Sequence, residues 1–182
     1  MENRAYVFLD RDGTLVEDPG YLHRLEDYVL LPGVVEALAS LQRAGYRLAV
    51  VTNQSGIGRG LFDAAAFETI QERLRDDLAR GGVELDASYF CPHLPDAGCR
   101  CRKPATELLE RAVRELGADL HTSWVIGDKP SDMQLAQNAG CRGVYVLTGQ
   151  GVAGRDAVAP AVHVTADLTA AATWIASQVG PK

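Results

Sequence analysis

No stretch of this 182-residue chain is apolar for anything near the ~18 residues that a membrane-crossing helix requires, so a helical membrane anchor is not expected. The opening residues, Met1 to Ala5, lack the charged-then-apolar pattern of a secretory signal and lead straight into an apolar run, which predicts a cytoplasmic location. Positive charge is scarce as well. The chain carries 18 Lys and Arg against 24 Asp and Glu, a net charge of −6, and has no basic stripe. Nucleic-acid binding relies on neutralising backbone phosphates with cationic side chains, so a nucleic acid is not an expected partner. A small phosphorylated substrate stays open, because it needs only a local cationic pocket. Internal repeats, low-complexity segments and linkers are also missing. Residues 1–182 are therefore expected to form one domain, acting as a monomer.

What is present looks globular: 47% of residues are apolar and 23% charged. Short, continuously apolar runs occur at residues 6–9, Leu48–Val51, Tyr89–Phe90, Trp124–Ile126 and Val144–Leu147. Such runs suit parallel strands covered on both faces. Between them apolar residues recur at helical spacing. Val34, Leu38 and Leu41 lead to Gly45; Phe67, Ile70, Leu74 and Leu78 lead to Gly81-Gly82; Leu109, Ala112, Val113 and Leu116 lead to Gly117. A short helix is predicted over Pro130–Ala139, before Gly140. A last apolar stretch, Val162–Val164, precedes a helix expected near Asp167–Val179 with Asp167 as its N-cap. Residues 148–161 read as a loop. The alternation predicts an α/β fold, a doubly wound parallel sheet with right-handed crossovers, whose ligands bind beyond the C-terminal strand ends. Asp10, Thr52, Cys91 and Asp128 each stand at or just past the end of an apolar run, so they are predicted to converge on one edge of the sheet.

Two constellations carry chemistry. The first is Asp10-Arg11-Asp12-Gly13-Thr14, joined by Asp128 and, one helical turn on, Asp132. Carboxylates gathered in one place repel unless a cation or proton is shared. Magnesium prefers oxygen ligands and commonly uses one or two carboxylates plus a substrate phosphate. Read alone, the first segment could equally be a solvated turn at a strand end. Thr52 could hold a phosphate oxygen, and Lys103 offers a compact positive charge, although read singly the first is an ordinary strand-end threonine and the second a solvated surface lysine. The second constellation is Cys91-Pro-His93 followed by Cys99-Arg-Cys101. Three thiolates and an imidazole match a closed tetrahedral zinc site. Its expected task is to fix the polar loop 92–100 and to aim Arg102 and Lys103, which follow directly. Cys141 reads as a small buried hydrophobe. His23, His121 and His163 receive no role.

Asp10-Arg11-Asp12-Gly13-Thr14, Val51-Thr52-Asn53, Arg102-Lys103-Pro104 and Gly127-Asp128-Lys129 with Asp132 together resemble the four signature segments of the haloacid dehalogenase (HAD) superfamily of phosphatases, in order. The resemblance implies that Asp10 attacks phosphorus and forms an aspartyl phosphate, and that Asp12 serves as proton donor and then base. It implies magnesium held by Asp10, Asp128 and Asp12, the last through its carbonyl, with Thr52 and Lys103 steadying the phosphoryl group and Asp132 supporting these ligands. Zinc is implied at Cys91, His93, Cys99 and Cys101. The intervals between motifs leave no room for a cap domain, only for a short flap after Asp12. Within the superfamily the chain is similar to two small zinc-bearing groups, acting on a heptose 1,7-bisphosphate and on histidinol phosphate. Asp18-Pro-Gly20-Tyr21-Leu-His23 and Thr52-Asn-Gln-Ser-Gly-Ile-Gly-Arg-Gly60 favour the first, which serves bacterial surface glycans. The five residues between His93 and Cys99 match the second. The implied partner is thus a small phosphorylated sugar. Its implied contacts are Asp18, Gly20 and Tyr21 from the flap, Asn53, Gln54 and Ser55, then Arg102 on a second phosphate, and Lys129. Pro19 departs from the polar residue expected inside the flap.

Overall fold

The computed structural model describes residues 4–178. Six parallel strands form one sheet: β1 (Tyr6–Leu9), β2 (Arg47–Asn53), β3 (Ala87–Cys91), β4 (Trp124–Gly127), β5 (Arg142–Val146) and β6 (His163–Thr165), in the order β3-β2-β1-β4-β5-β6. The order reverses between β1 and β4, which opens a crevice beyond their C-terminal ends. The helices are α1 (Val34–Arg43), α2 (Ser55–Gly58), α3 (Ala64–Arg80), α4 (Glu107–Leu116), α5 (Pro130–Ala139), α6 (Gly151–Gly154) and α7 (Leu168–Ser177).

Side chains alternate across the sheet, as strand geometry requires. Val7 and Leu9 of β1 join a core with α1, α3 and α7, whereas Tyr6 and Phe8 join a second core with α4 and α5. Both faces are covered at the centre of the sheet, which is why β1, β4 and residues 48–51 of β2 read as unbroken apolar runs. The doubly wound parallel sheet expected from the sequence is therefore observed.

Several boundaries differ from the sequence expectation. β2 runs on to Asn53 because its ladder with β3 continues past the apolar residues, pairing Thr52 with Phe90 and Asn53 with Cys91. β5 starts at the exposed Arg142, which hydropathy alone does not reveal. The loop expected over 148–161 contains α6 and a single 3-10 turn at Arg155–Ala157. Asp167 caps α7 as expected, its Oδ1 accepting from Ala170 N at 2.8 Å. Val179, the expected end of that helix, lies outside the described residues. Among the described residues no helix is long and apolar enough to cross a membrane.

After β1 the chain turns back on itself. Leu15 N donates to Arg11 O at 2.9 Å, and Val16 bridges Leu30. Glu17 N reaches Val29 O at 2.9 Å and Leu31 N reaches Leu15 O at 3.0 Å. This short pairing anchors a flap whose tip, including Tyr21, is exposed.

Candidate active site

Asp10 follows β1 directly, and its backbone N–H donates to Ile126 O of β4 at 2.9 Å, so its main chain is fixed by the neighbouring strand. Asp128 follows β4 across the crevice. Asp132, on the first turn of α5, caps that helix by accepting from Lys129 N at 3.0 Å. One carboxylate oxygen from each of Asp10, Asp128 and Asp132 lies within 4.8 Å of the others, and all three side chains are buried. Two glycines make this packing achievable. A Cβ on Gly13 (φ +90°) would stand 2.3 Å from Asp128 Oδ2, and one on Gly149 (φ +53°) would stand 2.3 Å from the same atom.

Two lysines balance the charge. Lys103, fully buried, donates to Asp10 Oδ1 at 2.8 Å and to Val51 O at 2.8 Å, and its Nζ lies 2.7 Å from Asp132 Oδ1. Lys129 Nζ lies 3.5 Å from Asp10 Oδ2 and 3.5 Å from Asp128 Oδ1, and donates to Asp12 O at 2.9 Å. Burial alone would raise the Asp10 carboxyl, but Lys103 and Lys129 outweigh it and hold this group well below the usual carboxylate range. Burial, and then the charge of Asp10, push Asp128 up to about 7 despite Lys129. Burial likewise raises Asp132, partly offset by Lys103. Negative charge thus exceeds what the lysines supply, and an all-oxygen set of this kind suits a hard divalent cation.

Asp12 turns its carboxylate away from this cluster. Its Oδ1 accepts from Arg11 Nε at 2.8 Å and its Oδ2 from Gln54 Nε2 at 2.8 Å, while its carbonyl accepts from Lys129 Nζ, which also pairs with Asp10 and Asp128. Gln54 Nε2 also reaches Thr52 Oγ1 at 2.9 Å. Arg11 is wholly buried, bonded to Gln54 Oε1 at 3.2 Å and Gln71 Oε1 at 3.4 Å, with the Phe67 ring 5.1 Å from its guanidinium carbon. The amide of Asn53 grips the main chain of Lys103 from both sides, accepting from Lys103 N at 3.0 Å and donating to Lys103 O at 3.2 Å.

These residues open onto one cavity of about 200 Å³. Asp10, Asp12, Thr52 and Lys103 line it, together with Asp18, Gly20, Tyr21, Asn53, Gln54, Ser55, Arg102 and Lys129, so the structure gathers these sequence-predicted positions around one space. Asp128 lies buried behind this lining. Gly56, Ser131 and Gln150 also line the cavity and were not anticipated. Gln150 N donates to Asp128 Oδ2 at 2.8 Å and its side chain reaches Asp18 Oδ2 at 3.1 Å. Arg11 was missed too, because an arginine inside a loop motif reads as exposed.

The cysteine cluster also assembles. Cys91 Sγ lies 3.6 Å from His93 Nδ1, 3.6 Å from Cys99 Sγ and 3.1 Å from Cys101 Sγ. Cys101 Sγ lies 3.2 Å from His93 Nδ1 and 3.7 Å from Cys99 Sγ. A tetrahedron with metal bonds of about 2.0–2.3 Å has edges of roughly 3.5–3.8 Å, so three separations match and two are slightly shorter. The loop is tied back to the cavity floor by Gln54 N to Cys91 O at 2.8 Å and Gly58 N to Pro92 O at 2.9 Å.

A HAD-hydrolase-like family model matches residues 100–171. A D-glycero-beta-D-manno-heptose-1,7-bisphosphate 7-phosphatase of Photorhabdus laumondii is 48% identical over 155 residues, covering 80% of this chain and 82% of that protein. The enzyme of the same name from Yersinia pestis is 42% identical, covering 93% of this chain and 88% of that protein. The crystal structure of D,D-heptose 1,7-bisphosphate phosphatase from B. bronchiseptica, complexed with magnesium and phosphate, superposes with a TM-score of 0.88 at 35% identity, covering 94% of this chain and 97% of that one.

Proposed function

The chain belongs to the haloacid-dehalogenase-like phosphatases, hydrolases of phosphate monoesters, and we propose that it removes the C7 phosphate of D-glycero-D-manno-heptose 1,7-bisphosphate. The observation that carries this reading is the meeting of Asp10, Lys103 and Asp128, 118 positions apart at the extremes, at the sheet's switch point in a chain so similar to heptose-bisphosphate phosphatases.

Asp10 stays ionised because two ammonium groups flank it, so a carboxylate oxygen is ready to attack phosphorus. The bond from phosphorus to the sugar oxygen breaks as the bond to Asp10 forms, giving an aspartyl phosphate. Asp12 lines the cavity without being committed to the carboxylate cluster, which suits it to protonate the departing oxygen and then to deprotonate the water that releases phosphate. Lys103 neutralises transferring oxygens, and Thr52 with the neighbouring amides orients them. Arg102 offers a planar fork to the second phosphate at the far end of the substrate. Asp10, Asp128 and the Asp12 carbonyl would hold magnesium, whose charge lowers the cost of crowding phosphoryl oxygens against carboxylates. Cys91, His93, Cys99 and Cys101 would hold zinc, and four protein ligands give that ion a structural task.

The competing substrate is histidinol phosphate, favoured by the five-residue spacer between His93 and Cys99. Comparing kcat/KM for the two compounds tests the assignment. The heptose bisphosphate is expected to win by at least two orders of magnitude; a preference for histidinol phosphate overturns the substrate, and release of phosphate from neither overturns the enzyme.

A further inference from the structure

Lys129 stands where the ion-binding groups converge. Its Nζ faces Asp10 Oδ2 and Asp128 Oδ1 at 3.5 Å each and the Asp12 carbonyl at 2.9 Å. These are the three groups assigned to magnesium under the proposed function, on which this inference rests. The same nitrogen lies 3.4 Å from Asp18 Oδ2 of the flap. We propose that Lys129 is an exchangeable internal cation, whose ammonium neutralises these oxygens until magnesium binds and then passes wholly to Asp18.

An ammonium and a divalent ion cannot share one set of oxygens. Magnesium demands ligands at about 2.0–2.1 Å in near-octahedral array, and its charge repels a neighbouring ammonium. Of the two lysines, only Lys129 is free to respond. Lys103 is locked by three acceptors, with 1% of its side chain exposed. Lys129 has 27% of its side chain exposed, on a flexible four-carbon stem. Its second seat is already built. Asp18 is fixed by Gly20 N at 2.9 Å and by Gln150 Nε2 at 3.1 Å, so the ammonium needs only a small displacement to pair with it fully. Magnesium binding is thereby coupled to the flap, since the charge it displaces strengthens a pair between α5's N-cap residue and the flap.

The test is calorimetric titration of magnesium chloride into the full zinc-loaded chain, for the wild type, Lys129→Met, Asp18→Asn and the double variant. Removing a competing and repelling charge should tighten magnesium binding about tenfold in Lys129→Met, given the strength of close charge pairs in a partly screened site. Asp18→Asn should weaken binding in the wild-type background and do little in the Lys129→Met background, because the displaced ammonium is then gone. The magnesium-induced rise in melting temperature should likewise be larger for Lys129→Met, or for Lys129→Gln should the first variant not fold. Equal or weaker affinity in the Lys129 variants overturns the exchange while leaving the magnesium site intact. Absence of magnesium binding in all four proteins removes the site and the exchange together.

Discussion

Replacing Lys103 with methionine keeps the length of the side chain and removes its charge. In the folded chain that ammonium donates to Asp10 Oδ1 and Val51 O and pairs with Asp132 Oδ1, all within 2.8 Å, with 1% of the side chain exposed. Breaking a buried pair strands its partner without solvent, at a cost of about 3–5 kcal/mol. Against a total stability of about 5–15 kcal/mol this is a large share, and it should lower the melting temperature by roughly 6–20 °C in a chain of this size. The exposed pair Arg24–Glu26, at 3.5 Å with side chains 58% and 75% exposed, supplies the control: Arg24→Ala should change stability far less than Lys103→Met. Urea unfolding, with zinc retained and magnesium omitted, measures both. The deficit should depend on pH. Burial already raises Asp132, and loss of Lys103 raises it further. A carboxyl raised above its unfolded value adds stability at low pH and loses it as pH rises through the folded pKa, so the variant should recover toward the wild type as pH falls through the raised pKa. A Lys103→Met protein within 1 kcal/mol of the wild type at neutral pH would refute the claim that this lysine neutralises the cluster.

Zinc removal should release the loop 92–100 to proteolysis and lower turnover at least tenfold, since Arg102 and Lys103 follow the last ligand; full activity in rigorously zinc-free protein contradicts this. Gly13→Ala would force a Cβ to 2.3 Å from Asp128 Oδ2 at a φ of +90°, so it should cost about 1–3 kcal/mol and abolish magnesium binding, read by unfolding and calorimetry. Asn53→Ala frees the main chain of Lys103, so kcat should fall by about two orders of magnitude with KM little changed; a raised KM at constant kcat would instead mark Asn53 as a substrate contact.

The central strands β1, β2 and β4 were legible because both faces of the sheet are covered there, so each core run is apolar throughout and its end is marked by the first polar residue. That is how Asp10, Thr52, Cys91 and Asp128 could be grouped before any coordinates. What escaped depends on contacts distant in the chain. Nothing local says that Val16 bridges Leu30, or that Gln150 reaches Asp128 and Asp18. α2 was not foreseen because Ser55-Gly56-Ile57-Gly58 has poor helix propensity, and its packing against Pro92 overrides that. Asp132 was read as a supporting residue; it does cap α5, yet it also forms half of the ion pair that positions Lys103.

Arg11 sits one residue from Asp10 and under α3, touching Gln71 and Phe67 of that helix. The turn at residues 10–14 is thereby tied to a main core helix, and the two should unfold together. Loosening the turn on heating should cost α3 as well, because the wholly buried Arg11 guanidinium would lose its partners in the process. Thermal inactivation of this protein should coincide with global melting, and residual turnover becomes a direct gauge of the fraction still folded.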